Sequence, residues 1–163
     1  MLIGLSGKMG TGKSTLANYL QSKRPCHIVK IAGLLYELQD MIYEKLDMKV
    51  QGEKDRPLLI ALGMWGRDKD ENFWTAKALE KAMKLTGTVI IDDIRFPNEA
   101  DAIVNAGGIL IRIEGEQRGD NLNPELMNNK TETALDNYKF KNVIDNTSSI
   151  EESLRQLEEI LKQ

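Results

Sequence analysis

A short apolar run, Leu2-Ile3-Gly4-Leu5, leads through Ser6 directly into Gly7-Lys8-Met9-Gly10-Thr11-Gly12-Lys13-Ser14-Thr15. This completes the pattern GxxxxGK[ST] in the order strand, glycine-rich turn, helix, which is the context of a phosphate-binding P-loop. Gly7 and Gly12 let the turn close tightly enough to aim backbone N–H groups at phosphate oxygens. The helix that follows adds partial positive charge at its N-terminus. Lys13 reaches β- and γ-phosphates as a point charge, and the Ser14 hydroxyl suits Mg²⁺. A serine-capped glycine turn would give the same letters without a ligand, but the strand immediately before it favours the nucleotide. Residues 7–15 are therefore expected to bind ATP or another nucleoside triphosphate.

The 163 residues form one expected domain, 1–163, large enough for a substantial core. A net charge of -3 gives no general attraction to nucleic acid or to an anionic membrane. Cys26 and His27 each stand alone, which excludes an intrachain disulfide and any cysteine-rich or multi-histidine metal site. The N-terminal apolar stretch is too short for a signal peptide, and no segment has the length of a membrane span. The expectation is a cytoplasmic protein without a membrane partner or stable nucleic-acid partner.

The rest of the chain alternates strand and helix patterns. A first strand is expected at Leu2 to Leu5, and a helix from about Ser14 to Lys23. A second strand covers His27 to Ile31, followed by a helix with Leu34, Leu35, Leu38, Met41, Ile42 and Leu46 on one stripe. Pro57 opens a helix through Leu62, and residues 63–72 read as a mixed loop. Phe73 to Leu85 reads as a helix. Thr88 to Ile91 is a continuous apolar strand ended by Asp92-Asp93, the pattern of a central parallel strand. Pro97 opens another helix, Ile109 to Ile113 a strand, and 114–130 is a polar segment placed as a lid or insert. A short helix over Thr131 to Tyr138, a strand from Lys141 to Ile144 and a helix capped by Ser148 or Ser149 complete the chain. These βα units predict an α/β, three-layer P-loop fold: a parallel five-stranded sheet, helices on both faces and a short lid.

The second chemical constellation is Asp92-Asp93-Ile94-Arg95-Phe96, at the carboxyl end of a central strand, where open parallel sheets bind ligands. One of the two aspartates can manage Mg²⁺, and Asp92 with Ser14 is the metal pair taken here. Arg95 has a fork suited to phosphate, or to an ion pair with Glu99 or Asp101. Arg67, Arg112 and Arg118 are the other cations able to offset charge on a moving phosphoryl group, Arg118 from the polar segment. No residue reads as a committed general base, which suits an acceptor that is itself a phosphate monoester. A hydroxyl acceptor would need a base, and Asp93 could then serve. Trp65, beside Gly66-Arg67, is the aromatic candidate for stacking on a ligand. A GTPase is disfavoured because Asn128-Asn129-Lys130-Thr131 lacks the closing aspartate of a base-reading loop, and a DNA motor because the chain is short and acidic.

The run Asp93-Ile94-Arg95-Phe96-Pro97-Asn98-Glu99-Ala100, with Ile103 and Gly107-Gly108, closely resembles the signature of the phage and bacterial deoxynucleoside monophosphate kinases. The segment from Leu62-Gly63 through Arg67 to Phe73-Trp74 is similar to that family's acceptor-arginine region. Asn129-Lys130-Thr131-Glu132 resembles its His-x-Ser-Glu stretch, with Asn129 and Thr131 departing from the pattern and Glu132 retained. The resemblance implies an adenylate-kinase-like fold, ATP and Mg²⁺ as cosubstrates, and a deoxynucleoside monophosphate as small-molecule acceptor. It implies that Arg67 and Arg95 hold the acceptor phosphate and that Asp92 or Asp93 serves Mg²⁺ or the acceptor sugar; with Lys13 of the P-loop and Arg118 of the polar segment, Arg67, Asp93 and Arg95 are the residues expected to serve transfer. Members often form homodimers, and phage members act in the host cytoplasm. The alternatives are a P-loop kinase of another small metabolite and a non-kinase P-loop ATPase.

Overall fold

The computed structural model describes residues 1–49, 52, 54–117 and 130–162. Its strands are β1 (Leu2–Ser6), β2 (Cys26–Val29), β3 (Thr88–Ile94), β4 (Ile109–Glu114) and β5 (Asn142–Asp145). All pair in parallel, in the order β2-β3-β1-β4-β5. β1 takes the centre, flanked by the apolar strands β3 and β4, as burial on both faces requires. The helices are α1 (Lys13–Lys23), α2 (Gly33–Lys45), α3 (Arg56–Lys69), α4 (Phe73–Met83), α5 (Pro97–Asn105), α6 (Lys130–Thr133) and α7 (Ile150–Ile160). The three-layer α/β architecture expected from the sequence is present. No helix among the described residues is long and apolar enough to cross a membrane.

The two-residue alternation of the strands divides the core between the two faces. Ile3, Leu5, Ile90, Ile111 and Ile113 pack with Leu16, Ala17 and Leu20 of α1 and Leu157 of α7. Val89, Ile91, Ile94 and Leu110 pack on the other face with Leu35 of α2, Trp74 and Ala78 of α4, and Ala100 and Ile103 of α5. Asp92 and Asp93 lie where this alternation breaks: the register with β1 shifts between Ile91 and Ile94, and Ile94 packs on the same face as Ile91.

Several boundaries differ from the sequence expectation. Residues 63–69 are not loop: α3 runs on to Lys69. Its glycines, poor helix formers in isolation, are required by packing. A Cβ on Gly66 would collide with the Trp74 indole, whose Nε1–H donates to the Gly63 carbonyl at 3.0 Å. Strand β3 extends through Asp92 and Asp93 to Ile94 instead of stopping at Ile91. β2 ends at Val29, because the Ile31 and Ala32 N–H groups turn to the Asp93 carboxylate. After α6 the chain continues in turns, not in a helix to Tyr138. Ser149, not Ser148, caps α7, accepting the Glu152 N–H at 3.3 Å.

Candidate functional site

The turn between β1 and α1 is held open as a cradle from three sides. Gly12 has φ 97, and a Cβ there would lie 2.5 Å from the Asn146 side-chain nitrogen. Asn146, in the β5–α7 connection, donates to the Thr11 carbonyl at 2.8 Å and accepts from the Ser153 hydroxyl at 2.7 Å. Gln117, at the start of the polar segment, donates to the Met9 carbonyl at 3.0 Å. Glu132 of α6 accepts the Met9 N–H at 2.7 Å and pairs through its other oxygen with the Arg95 guanidinium. Lys8 pairs with Asp136 at 3.2 Å, as does the buried Arg112 at 3.4 Å. An open cavity of about 630 Å³ runs along Gly10, Gly12, Lys13, Ser14 and Thr15, bounded by Asn146 and Ile150.

Lys13 is buried and donates through Nζ to the carbonyls of Gly7 at 2.7 Å and Lys8 at 2.8 Å. Burial, then the Arg95 charge, lowers its amine from the ordinary lysine value to about 8. Glu132 and Asp92 oppose that shift and Arg112 adds to it, so all five charged groups share one neighbourhood. A phosphate arriving there meets a cation already partly stripped of water.

The two aspartates of β3 have different environments. Asp93 is engaged at both oxygens, accepting from the N–H of Ile31 at 2.8 Å and of Ala32 at 3.0 Å. It fixes the β2–α2 turn. Burial pushes its carboxyl up, and those two hydrogen bonds work against the shift. Asp92 is only 6% exposed, yet its Oδ1 has no hydrogen bond. The Lys30 ammonium lies 3.5 Å from that oxygen. A buried carboxylate oxygen without a donor is costly, and it is a hard ligand of the kind that Mg²⁺ takes together with phosphate oxygens and water. Asp92 thus fits a Mg²⁺ ion. No group of three or more His, Cys, Asp or Glu among the described residues forms a metal cage, so the remaining ligands would come from substrate and solvent.

Beyond Arg95 lies a second cavity of about 700 Å³ between α2, α3 and the end of β3. Its apolar walls include Leu35, Trp74 and Phe96, and Lys30, Lys54, Arg67 and Arg95 supply four cations. Arg67 lies over the Phe96 ring at 5.3 Å and has no ion pair among the described residues. Trp65 is not among the lining residues; it is 52% exposed and meets Phe73 edge-on at 5.6 Å. The helical course of 63–69 turns it outward, and Trp74 takes the wall position instead. The far end is braced by Gln39, which accepts the Asp55 N–H at 2.8 Å, while Asp55 caps α3. About two turns of α2, roughly 10 Å, separate Ala32 from Gln39, the length of a small phosphorylated molecule.

Most of the Arg-Phe-Pro-Asn-Glu-Ala block is architecture. Glu99 accepts the N–H groups of Arg95 at 2.7 Å and Phe96 at 3.1 Å, and burial pushes its carboxyl up. Asn98 ties α5 to the α3–α4 turn through the Glu71 carbonyl at 3.2 Å. Arg95 and Phe96 alone reach the cavity from this block, apart from Glu99 beneath them. Lys13, Asp92 and Arg95 are brought together, Arg67 and Asp93 join at the cavity, and Arg118 and Asn129 lie outside the described residues. Lys30, Glu132 and Asn146 belong to the site although composition and spacing gave them no role; only the resemblance drew Glu132 into view.

No protein-family model matches the chain. The chain is 32% identical over 156 residues to the ORF77 protein of Ictalurid herpesvirus 1 (strain Auburn). That match covers 91% of this chain and 64% of the relative, so the chain spans under two thirds of the relative's length. Among solved structures it is similar to shikimate kinase from Aquifex aeolicus, with TM-score 0.60, 16% identity, and 99% and 96% of the two chains covered. It is also similar to dephospho-CoA kinase from Campylobacter jejuni, with TM-score 0.56, 16% identity, and 99% and 95% covered. Nearly complete coverage in both directions shows that this chain shares the fold of these two kinases.

Proposed function

We propose that the protein is a P-loop kinase that passes the γ-phosphoryl group of ATP to a small-molecule acceptor, and that the acceptor is a deoxynucleoside 5'-monophosphate. One observation carries the reading: the buried Lys13 of the P-loop shares its neighbourhood with Arg95, which lines a separate cavity of about 700 Å³. A donor in the P-loop and an acceptor in that cavity would meet across Lys13 and Arg95. Arg67 and Arg95 would hold the acceptor phosphate, and Arg118 would approach from the segment 114–130, proposed as a lid over a single domain. Asp92 and Ser14 would hold Mg²⁺, which when bound supplies charge neutralisation on the donor phosphates. Lys13 follows the moving phosphoryl group, and exclusion of water protects it from hydrolysis.

The state of Asp93 favours a phosphate acceptor over a hydroxyl. Both of its oxygens are occupied by backbone N–H groups, so it is poorly placed to take a proton, whereas a phosphate monoester needs none removed. The second reading, a kinase of another small metabolite, draws support from the likeness to shikimate and dephospho-CoA kinases. A coupled assay of ADP release, run with Mg²⁺ against deoxy- and ribonucleoside monophosphates and the unphosphorylated nucleosides, separates them. Diphosphate formed from a deoxynucleotide supports the proposal. ADP release that ignores every nucleotide acceptor sinks it in favour of the second reading or of an ATPase.

A further inference from the structure

Lys30 lines the 700 Å³ acceptor cavity, but the proposed transfer gives it no part. It follows β2 and is half exposed. Its ammonium lies 3.5 Å from Asp92 Oδ1, the one buried side-chain oxygen among the described residues without a hydrogen bond. A carboxylate buried to 6% exposure needs a counter-charge. The contact with Lys30 supplies one without the directional bond that would lock it. Asp92 also feels Lys13 on its P-loop side.

We infer that Lys30 is an exchangeable counter-ion: it neutralises Asp92 while the metal position is open, yields that oxygen to a divalent cation, and then presents its charge to the acceptor cavity. The two states follow from charge alone. A divalent cation on Asp92 would stand beside the Lys30 ammonium and repel it. The flexible four-carbon stem and half-exposed position let the ammonium move without disturbing the core. The cavity on its other side already holds Arg67 and Arg95, so the displaced charge would add to a site for an anionic ligand. Metal-donor binding at one site would thereby strengthen anion binding at the other, a reciprocal coupling. The metal half rests on the Lys30–Asp92 contact and on the proposed donor site at the P-loop; the acceptor half rests in addition on the proposed acceptor.

The test is calorimetric titration of Mn²⁺ into the full chain saturated with a non-hydrolysable ATP analogue. Lys30→Met should tighten Mn²⁺ binding by about tenfold, within the usual range of such couplings, because the competing cation is gone. Lys30→Arg, which keeps the charge, should stay within about twofold of wild type. In an Asp92→Asn background, Lys30→Met should change nothing. Unchanged Mn²⁺ affinity in Lys30→Met, or the same gain in the Asp92→Asn background, overturns the exchange. In a second arm, deoxynucleoside monophosphates should bind wild type about tenfold more tightly with the Mn²⁺–analogue complex present, and Lys30→Met without that gain. An equal gain in Lys30→Met overturns the coupling. If no monophosphate binds wild type at all, the acceptor assignment and the coupling to it fail together, while the metal titration still decides the exchange.

Discussion

Removing the Glu132 side chain should loosen the P-loop from behind. Glu132 is buried, and its two oxygens do separate work: one accepts the Met9 N–H at 2.7 Å, the other pairs with the Arg95 guanidinium. In Glu132→Ala, the stranded Met9 donor costs about 1–3 kcal/mol. Breaking a buried ion pair costs about 3–5 kcal/mol, but the Arg95 side chain is 25% exposed and recovers some hydration, which places the pair at or below the low end. A loss of about 4 kcal/mol is expected, or about 8–16 °C in Tm for a domain of this size. Glu132→Gln keeps an acceptor for Met9 and loses only the charge, so it should cost about half as much. Urea unfolding of both variants, with Arg95→Ala and the Glu132→Ala/Arg95→Ala pair, closes a cycle whose coupling should exceed about 1 kcal/mol. Stability of Glu132→Ala within about 0.5 kcal/mol of wild type, or a coupling near zero, would refute the reasoning.

Four other outcomes follow from the geometry. Lys13, lowered to about 8, stays charged in the unfolded chain up to the ordinary lysine value. The unfolded state thus binds more protons between those two values, and stability contributed by this group rises with pH across that window; a Lys13→Met variant whose pH–stability curve tracks wild type there would contradict this. Binding an ATP analogue at pH 9 should draw in close to one proton, about 0.9 from a group with that pKa, read from calorimetry in buffers of different ionisation enthalpy, and Lys13→Met should show none. Asp93→Asn leaves one of the Ile31 and Ala32 N–H groups facing an amide instead of an acceptor, so a stability loss of about 1–3 kcal/mol is expected and an unchanged Tm speaks against its positioning role. Gly66→Ala drives a methyl into the Trp74 indole; it should cost about 1–3 kcal/mol, and a neutral result would mean that α3 and α4 separate freely.

The fold was readable because its signals were redundant. The P-loop letters, the unbroken Val89 to Ile91 run and the alternation of strand and helix patterns all pointed to one parallel sheet. The loop expected at 63–72 failed because two glycines and several charges look like a turn when helix packing cannot be seen. Gly63 and Gly66 are there for the Trp74 ring. Asp92 and Asp93 are indistinguishable in sequence and differ in their surroundings: both Asp93 oxygens accept backbone N–H groups of the β2–α2 turn, while Asp92 Oδ1 accepts none. Glu132, Asn146 and Lys30 come from α6, the β5–α7 connection and the β2–α2 connection. No spacing rule relates residues that meet only through tertiary folding.

The most direct measurement follows label from [γ-³²P]ATP into product, for wild type and Lys13→Met, with each deoxynucleoside monophosphate in turn and Mg²⁺ present. The account predicts labelled diphosphate of at least one deoxynucleotide from wild type, and at least a hundredfold less from Lys13→Met, the scale (about 10²–10³) of losing one transition-state contact. Label released only as inorganic phosphate, or transferred equally well by Lys13→Met, would contradict it.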